Sequence, residues 1–366
     1  MGLWMVISLS LAAGFAVLIA TGRWRRSFAL FAIRPSRMTV SRLELAVYEP
    51  KDVERVDTIL RCFAGGFNAM ITGPKVTSCR AYCDSLPILY RPFAEEGTAM
   101  GLTLRRLFAH DPRDFEETLV KSRPEYRYLY YVGLGFWSGM RNHTPGQVQR
   151  VAADLDPLHR FLCFDGYGFK RALFDYPKDA GSFGLLDGLE GYARNAAYQG
   201  VGRAFYFLFM SQPQVMIEHI KRLGEFAADA SAGVGLAAVF VNPDRLHVAQ
   251  RLAAEMPFDW RDHFHLGMCF ALKARSLNHL GEFEQDMSRL ERGVQDSVFA
   301  SIRECDRIEL QVRARAAEYD GYCRWRGRVT AWMAENIEYP LAGVRCARAA
   351  DSAEVTASEP VGEVST

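Results

Sequence analysis

Three carboxylates lie in apolar surroundings that can keep a carboxyl group protonated near neutral pH. Asp165 stands in Phe164-Asp165-Gly166-Tyr167-Gly168-Phe169, and Glu95 and Glu96 stand in RPFAEEGTAMGL. Burial disfavours the ionised form of an acid, raises its pKa and fits it to donate a proton. Proton-initiated chemistry on an alkene needs such a donor. The same residues have a plainer reading. Asp165 can accept backbone hydrogen bonds in a glycine turn, and Glu95 or Glu96 can pair with Arg91, Arg194 or Arg203.

Around these acids the chain is rich in rings and glycines, among them Tyr131, Trp137, Tyr167 and Phe169 with Gly133, Gly135, Gly166 and Gly168. Glycine lets helices approach closely while rings form walls, so the stretch can line an elongated apolar cavity or simply fill a core. In the first case Tyr167, Phe169, Tyr131 and Trp137 shape the cavity, and Arg194 and Arg203 hold a polar or anionic end of the substrate. No cofactor is expected. Gly133-x-Gly135 lacks the third glycine and the later acid of a dinucleotide site. His263 and His265 point in different directions on a helix, and the eight cysteines show no zinc spacing, so no metal is expected either.

The elements that must position these groups read as helices. A capping residue followed by proline marks a helix start at Asp111-Pro112, Thr144-Pro145, Asp156-Pro157 and Asn242-Pro243. Other helical runs are 53–70, 95–108, 185–210, 215–223 and 260–279, with a long charged stretch over 283–338. Only 128–132 and 237–241 look like strand candidates. The expected fold is all-α, predominantly helical with at most short strands. No fixed-period repeat is evident, which disfavours a solenoid.

Residues 1–22 carry no charged side chain. As a helix they reach about 33 Å, enough for a hydrocarbon core of about 30 Å. Arg23, Arg25 and Arg26 follow the run rather than precede it, unlike a cleaved secretory signal. The expectation is a single N-terminal transmembrane-type helix that anchors the protein in the inner (cytoplasmic) membrane with its body on the cytoplasmic side. The expected domains are that anchor, a basic linker over 23–42, a helical globular domain over 43–340 with an aromatic, glycine-rich core, and a disordered tail over 341–366. Net charge is +1, so nothing draws a polyanion and nucleic acid is not an expected partner.

The segments RPFAEEGTAMGL, YLYYVGLGFW, DPLHRFLCFDGYGF, GYARNAAYQGVGRAFYF, ADASAGVGLA and HFHLGMCFALKAR together resemble a bacterial family of unknown function. That family accompanies enediyne polyketide synthases and occurs in other specialised-metabolite clusters. The resemblance covers roughly 43–291 and excludes the N-terminal apolar run. It implies a place in specialised metabolism, a long polyunsaturated substrate and biosynthetic partner enzymes, and it supplies no catalytic residues. Two functions follow as expectations. One is a cyclase or isomerase that acts on a polyketide polyene or an isoprenoid by cofactor-free proton transfer, with Asp165, Glu96 or Glu95 as the acid. The other is a non-catalytic, membrane-tethered carrier or assembly factor for a hydrophobic intermediate. No DDxxD cluster appears, which argues against the familiar metal-dependent terpene cyclases.

Overall fold

The computed structural model describes residues 28–73, 76–109, 115–176, 182–314 and 321–336. The expected anchor, the tail after 340 and the Asp111-Pro112 helix start lie outside the described residues. Fourteen α-helices are seen among them: α1 (Pro50–Thr72), α2 (Val76–Ser85), α3 (Arg91–Ala109), α4 (Arg127–Met140), α5 (Pro145–Ala153), α6 (Phe161–Lys170), α7 (Tyr192–Leu208), α8 (Pro213–Lys221), α9 (Ala227–Val241), α10 (Leu246–Glu255), α11 (Phe258–Asn278), α12 (Leu280–Met287), α13 (Arg292–Arg313) and α14 (Gly321–Asn336). There is no strand among the described residues, so the all-α expectation holds. Both strand candidates are helical, 128–132 in α4 and 237–241 in α9. Their runs of rings and β-branched residues are buried on every side by neighbouring helices, which removes the polar face that a helical period would show.

Local signals explain several boundaries. Pro145 enters the first turn of α5 and the Gln147 side chain accepts the Thr144 N–H at 2.8 Å, a capping box. Asp156 caps the turn before α6, accepting from the N–H groups of Leu158 and His159 at 3.1 and 2.9 Å. Asn242 does not start a helix. Its amide donates to Tyr206 Oη and to the Ala238 carbonyl, and α10 begins only at Leu246. The charged stretch over 283–338 is divided among α12, α13 and α14 rather than continuous.

The long helices α1, α3, α4, α6, α7, α9 and α11 each pack on the next in chain order, with α2, α5, α8 and α10 as short connecting helices. Their contacts repeat. Gly133, Gly166, Gly200, Gly233 and Gly267 recur every 33 or 34 residues, one on each of the long helices α4, α6, α7, α9 and α11. A methyl group on any of them would collide with a backbone carbonyl oxygen of the preceding long helix, that of Glu96, Val132, Asp165, Gln199 and Ala232 respectively. A second glycine two residues on, at Gly135, Gly168, Gly202 and Gly235, meets the following helix in the same way, at Cys163, Ala197, Ala230 and Phe264. Backbone against backbone at each crossing allows Cα–H···O contacts and holds adjacent helices closer than larger residues permit. The expectation that no repeat exists is thus corrected. Its period is carried by glycines at helix crossings, not by a run of similar sequence.

Helix α9 is apolar all round because it lies between α7 and α11. Residues 224–241 form the one described helical stretch long and apolar enough to cross a membrane, and most of that stretch is buried inside the protein. Residues 38–47, at the end of the expected linker and the start of the expected domain, pack as a strap on α1 and α7. The Val40 N–H donates to Asp57 Oδ1 at 2.7 Å, and Ala46 exchanges backbone bonds with Leu208 and Ser211, each 2.9 Å.

Candidate functional site

The glycine register decides which side chains converge. On α4, α6, α7 and α9 the residue three after the first glycine is Phe136, Phe169, Arg203 or Leu236, and all four line one internal cavity. Seven after it come Leu173, Phe207 and Phe240, which line the same cavity. The residue just before the glycine lies one helical turn from the +3 position on the same face. At that position stand Glu96, Val132, Asp165, Gln199 and Ala232, the residues whose carbonyls receive the next helix's glycine. Close helix approach therefore draws Glu96, Asp165, Gln199 and Arg203 into one buried polar layer beneath an apolar cavity.

Phe63, Phe93, Phe136, Phe169, Phe174, Phe207 and Phe240 wall the cavity, with Met38 and Leu45 from the strap. The centre of a water-sized sphere can move through only about 50 Å³ of it. Pockets for drug-sized ligands measure roughly 300–1,000 Å³, so a long chain enters only if part of the wall moves. The strap contributes Met38 and Leu45 to that wall, and Glu44, just before Leu45, has a left-handed backbone with φ 54°.

Among the described residues two charged groups face the cavity, Glu96 and Arg203. Glu96 is 4% exposed, and its one ion-pair partner among the described residues is Arg203, 3.8 Å away. Burial, with the neighbouring charge of Asp165, pushes its carboxyl up to about 7 even though Arg203 opposes the shift. Asp165, 1% exposed, lies outside the cavity lining. One of its oxygens pairs with the Arg203 guanidinium and the other accepts the Gln199 amide at 2.7 Å. Burial opposes the charge on Arg203, yet Asp165 and Glu96 hold its pKa above the usual arginine value. The guanidinium also lies 4.9 Å from the centre of the Phe169 ring. On the far side of this layer Tyr322 of α14 receives the Gln199 amide at 3.5 Å, and burial pushes its hydroxyl up to about 12.

Of the residues singled out from the sequence, Glu96, Phe169 and Arg203 line the cavity, and Asp165 supports Arg203 from behind. The others stand elsewhere. Glu95 points away from the cavity, bonded to Arg123 at 2.6 Å and to the Tyr130 hydroxyl at 2.8 Å. Tyr131 donates to Glu116 at 2.7 Å, and Tyr167 donates to the His143 carbonyl at 2.8 Å. Trp137 is half-buried against the core outside the cavity lining. Arg194 fastens the turn before its own helix through the Asp187 and Leu189 carbonyls. Gln199, Tyr322 and the strap residues Met38 and Leu45 were not expected at the site. The 33–34-residue glycine period, with its polar residues one place before the glycine, is the signal that points to Gln199.

No group of three or more His, Cys, Asp or Glu is placed to hold a metal ion among the described residues. Burial holds His265 down at about 4 and lowers His263 as well.

The family model described as "Protein of unknown function (DUF1702)" matches residues 21–333. The chain belongs to that family. All seven glycine-packed helices, the strap and most of α14 lie within the matched region, whereas the apolar run before residue 21 falls outside it. No curated protein and no solved structure matches the chain.

Proposed function

We propose that the protein performs acid–base chemistry on a long apolar, polyunsaturated molecule, a polyketide polyene or an isoprenoid, with Glu96 as the proton donor. The observation that carries this reading is a buried carboxyl group facing a phenylalanine-walled cavity beside one fixed guanidinium, where burial pushes it up to about 7. At neutral pH about half of such groups hold their proton, the fraction at which donation and recovery are both fast. The neutral carboxyl gives its proton to one carbon of a double bond. Arg203 then stabilises the carboxylate left behind, and the ring faces stabilise the cation on the neighbouring carbon. Loss of a different proton to the carboxylate yields an isomerised or cyclised product and restores Glu96. Asp165 keeps Arg203 in place and is not the donor in this scheme.

A place beside enediyne or other specialised-metabolite enzymes, and a tether through residues 1–22 with the body on the cytoplasmic side, belong to the same proposal. They rest on the sequence blocks and on the arginines that follow the apolar run. The test is to incubate wild-type protein and Glu96→Gln with polyenes and prenyl diphosphates and to analyse extracts by mass spectrometry. Turnover should fall by roughly 10²-fold or more in the variant while ligand binding persists. Equal product from both proteins would refute the donor role of Glu96. Binding with no turnover by either would favour the carrier.

A further inference from the structure

A second recess lies away from the phenylalanine cavity, between α11, α13 and the first residue of α4. It is an open cleft of about 570 Å³ lined by Arg127, Lys273, Ser276 and Leu277 together with Asp306, Glu309, Leu310 and Arg313. Most of its charges satisfy one another. Glu309 accepts from Lys273 at 2.9 Å, His159 at 3.0 Å and the Tyr128 hydroxyl at 3.1 Å. Asp306 also pairs with Lys273, and Arg313 spans Asp156 at 2.7 and 3.5 Å.

Arg127 is the exception. Among the described residues its side chain has no hydrogen bond and no ion pair, its Nε is buried without a partner, and its guanidinium lies 5.6 Å from the centre of the Tyr128 ring. Lys273 is held by Asp306 and Glu309 and Arg313 by Asp156, so Arg127 is the lining cation left without an acid of its own among the described residues. Leu277 and the 68% exposed Leu310 form an apolar side next to it.

We propose that this cleft binds a monocarboxylate with an aliphatic body, its carboxylate forked on Arg127 and its chain lying on Leu277 and Leu310. A planar guanidinium with unused donors matches a carboxylate in two parallel hydrogen bonds. A monoanion is favoured because Asp306 and Glu309, in the same lining, repel the second charge of a phosphate monoester. Room for several hundred cubic ångströms accommodates a chain of medium length.

Calorimetric titration of the full chain tests this with octanoate, acetate, 1-octanol, octyl phosphate and a hydrophobic peptide ending in a free carboxylate. Octanoate should bind, acetate and 1-octanol at least 10-fold more weakly, and octyl phosphate no better than octanoate. Arg127→Ala and Arg127→Gln should each weaken octanoate binding at least 10-fold. Neither removes a side-chain hydrogen bond or an ion pair, so both should melt within a few degrees of wild type. Glu96→Gln, in the other cavity, should leave octanoate affinity unchanged. Unaltered affinity in both Arg127 variants, loss of binding in Glu96→Gln, or tighter binding of octyl phosphate would overturn the assignment. Preference for the peptide acid over octanoate would overturn the small-molecule ligand in favour of a protein C-terminus.

Discussion

Replacing Glu96 by Gln tests the electrostatics of the cavity without any knowledge of the substrate. Raising a carboxyl from its ordinary 4.5 to about 7 costs the folded protein about 3 kcal/mol once the group is ionised in both states. The pH dependence has a definite sign. Well below pH 4.5 the group is neutral whether the chain is folded or unfolded, and nothing is lost. Between 4.5 and 7 the unfolded chain ionises while the folded one keeps its proton, so stability falls as pH rises. Above 7 the loss is complete. The Glu96→Gln variant has no such term, and Arg203 keeps its closer partner, Asp165. Relative to wild type the variant should gain about 1 kcal/mol at pH 5 and about 3 kcal/mol at pH 8, less a constant for the altered contact with Arg203. Urea unfolding of both proteins at the two pH values measures the double difference, about 2 kcal/mol in favour of the variant at pH 8. A double difference near zero would show that Glu96 ionises as in water, and the proton-donor reading would fall with it.

Two further outcomes follow from the packing. In Gly200→Ala the new methyl meets the Asp165 carbonyl, a backbone atom that cannot swing aside. Stability should drop by about 3 kcal/mol or more, the upper range for overpacking, whereas Gly327→Ala on the open face of α14 should add about 0.5–1 kcal/mol; equal melting temperatures for the two would contradict the crossing geometry. Asp165→Asn leaves the buried Arg203 with only the more distant Glu96 and should cost about 3–5 kcal/mol. Because the Asp165 charge helps to raise the Glu96 pKa, the midpoint of the Glu96 effect should also move to lower pH, and an unchanged midpoint would show that the two acids do not interact.

Helical content was legible in the sequence because Thr144-Pro145 and Asp156-Pro157 carry their own capping chemistry and need no tertiary context. Asn242-Pro243 carries the same letters, but a tertiary partner claims its side chain when Tyr206 takes the amide of Asn242. The two strand candidates misled for a related reason. A segment buried on all sides shows no polar face, and without one, short runs of rings and β-branched residues look alike in helix and strand.

The candidate site was half legible, and its illegible half is the repeat. An acid among apolar residues is visible locally, which is how Glu95, Glu96 and Asp165 drew attention together. Which of them faces a cavity depends on helix register. Glu96 and Asp165 each stand one place before a glycine that a neighbouring backbone touches, Gly97 against Phe63 and Gly166 against Val132, and this turns both toward Arg203. Glu95, one residue earlier, is rotated by about 100° on the helix and meets Arg123 and Tyr130 instead. Tested against a dinucleotide fingerprint, Gly133-x-Gly135 has no meaning. Aligned with Gly166-x-Gly168, Gly200-x-Gly202 and Gly233-x-Gly235, it becomes the contact that stacks each long helix on the next. That alignment also separates Arg203 from Arg194. Three places after its glycine Arg203 occupies the position that Phe136, Phe169 and Leu236 fill on other helices, so a charge stands where the repeat otherwise puts apolar side chains. Such a substitution costs stability unless acids are brought to meet it, and the acids that meet it are Asp165 and Glu96.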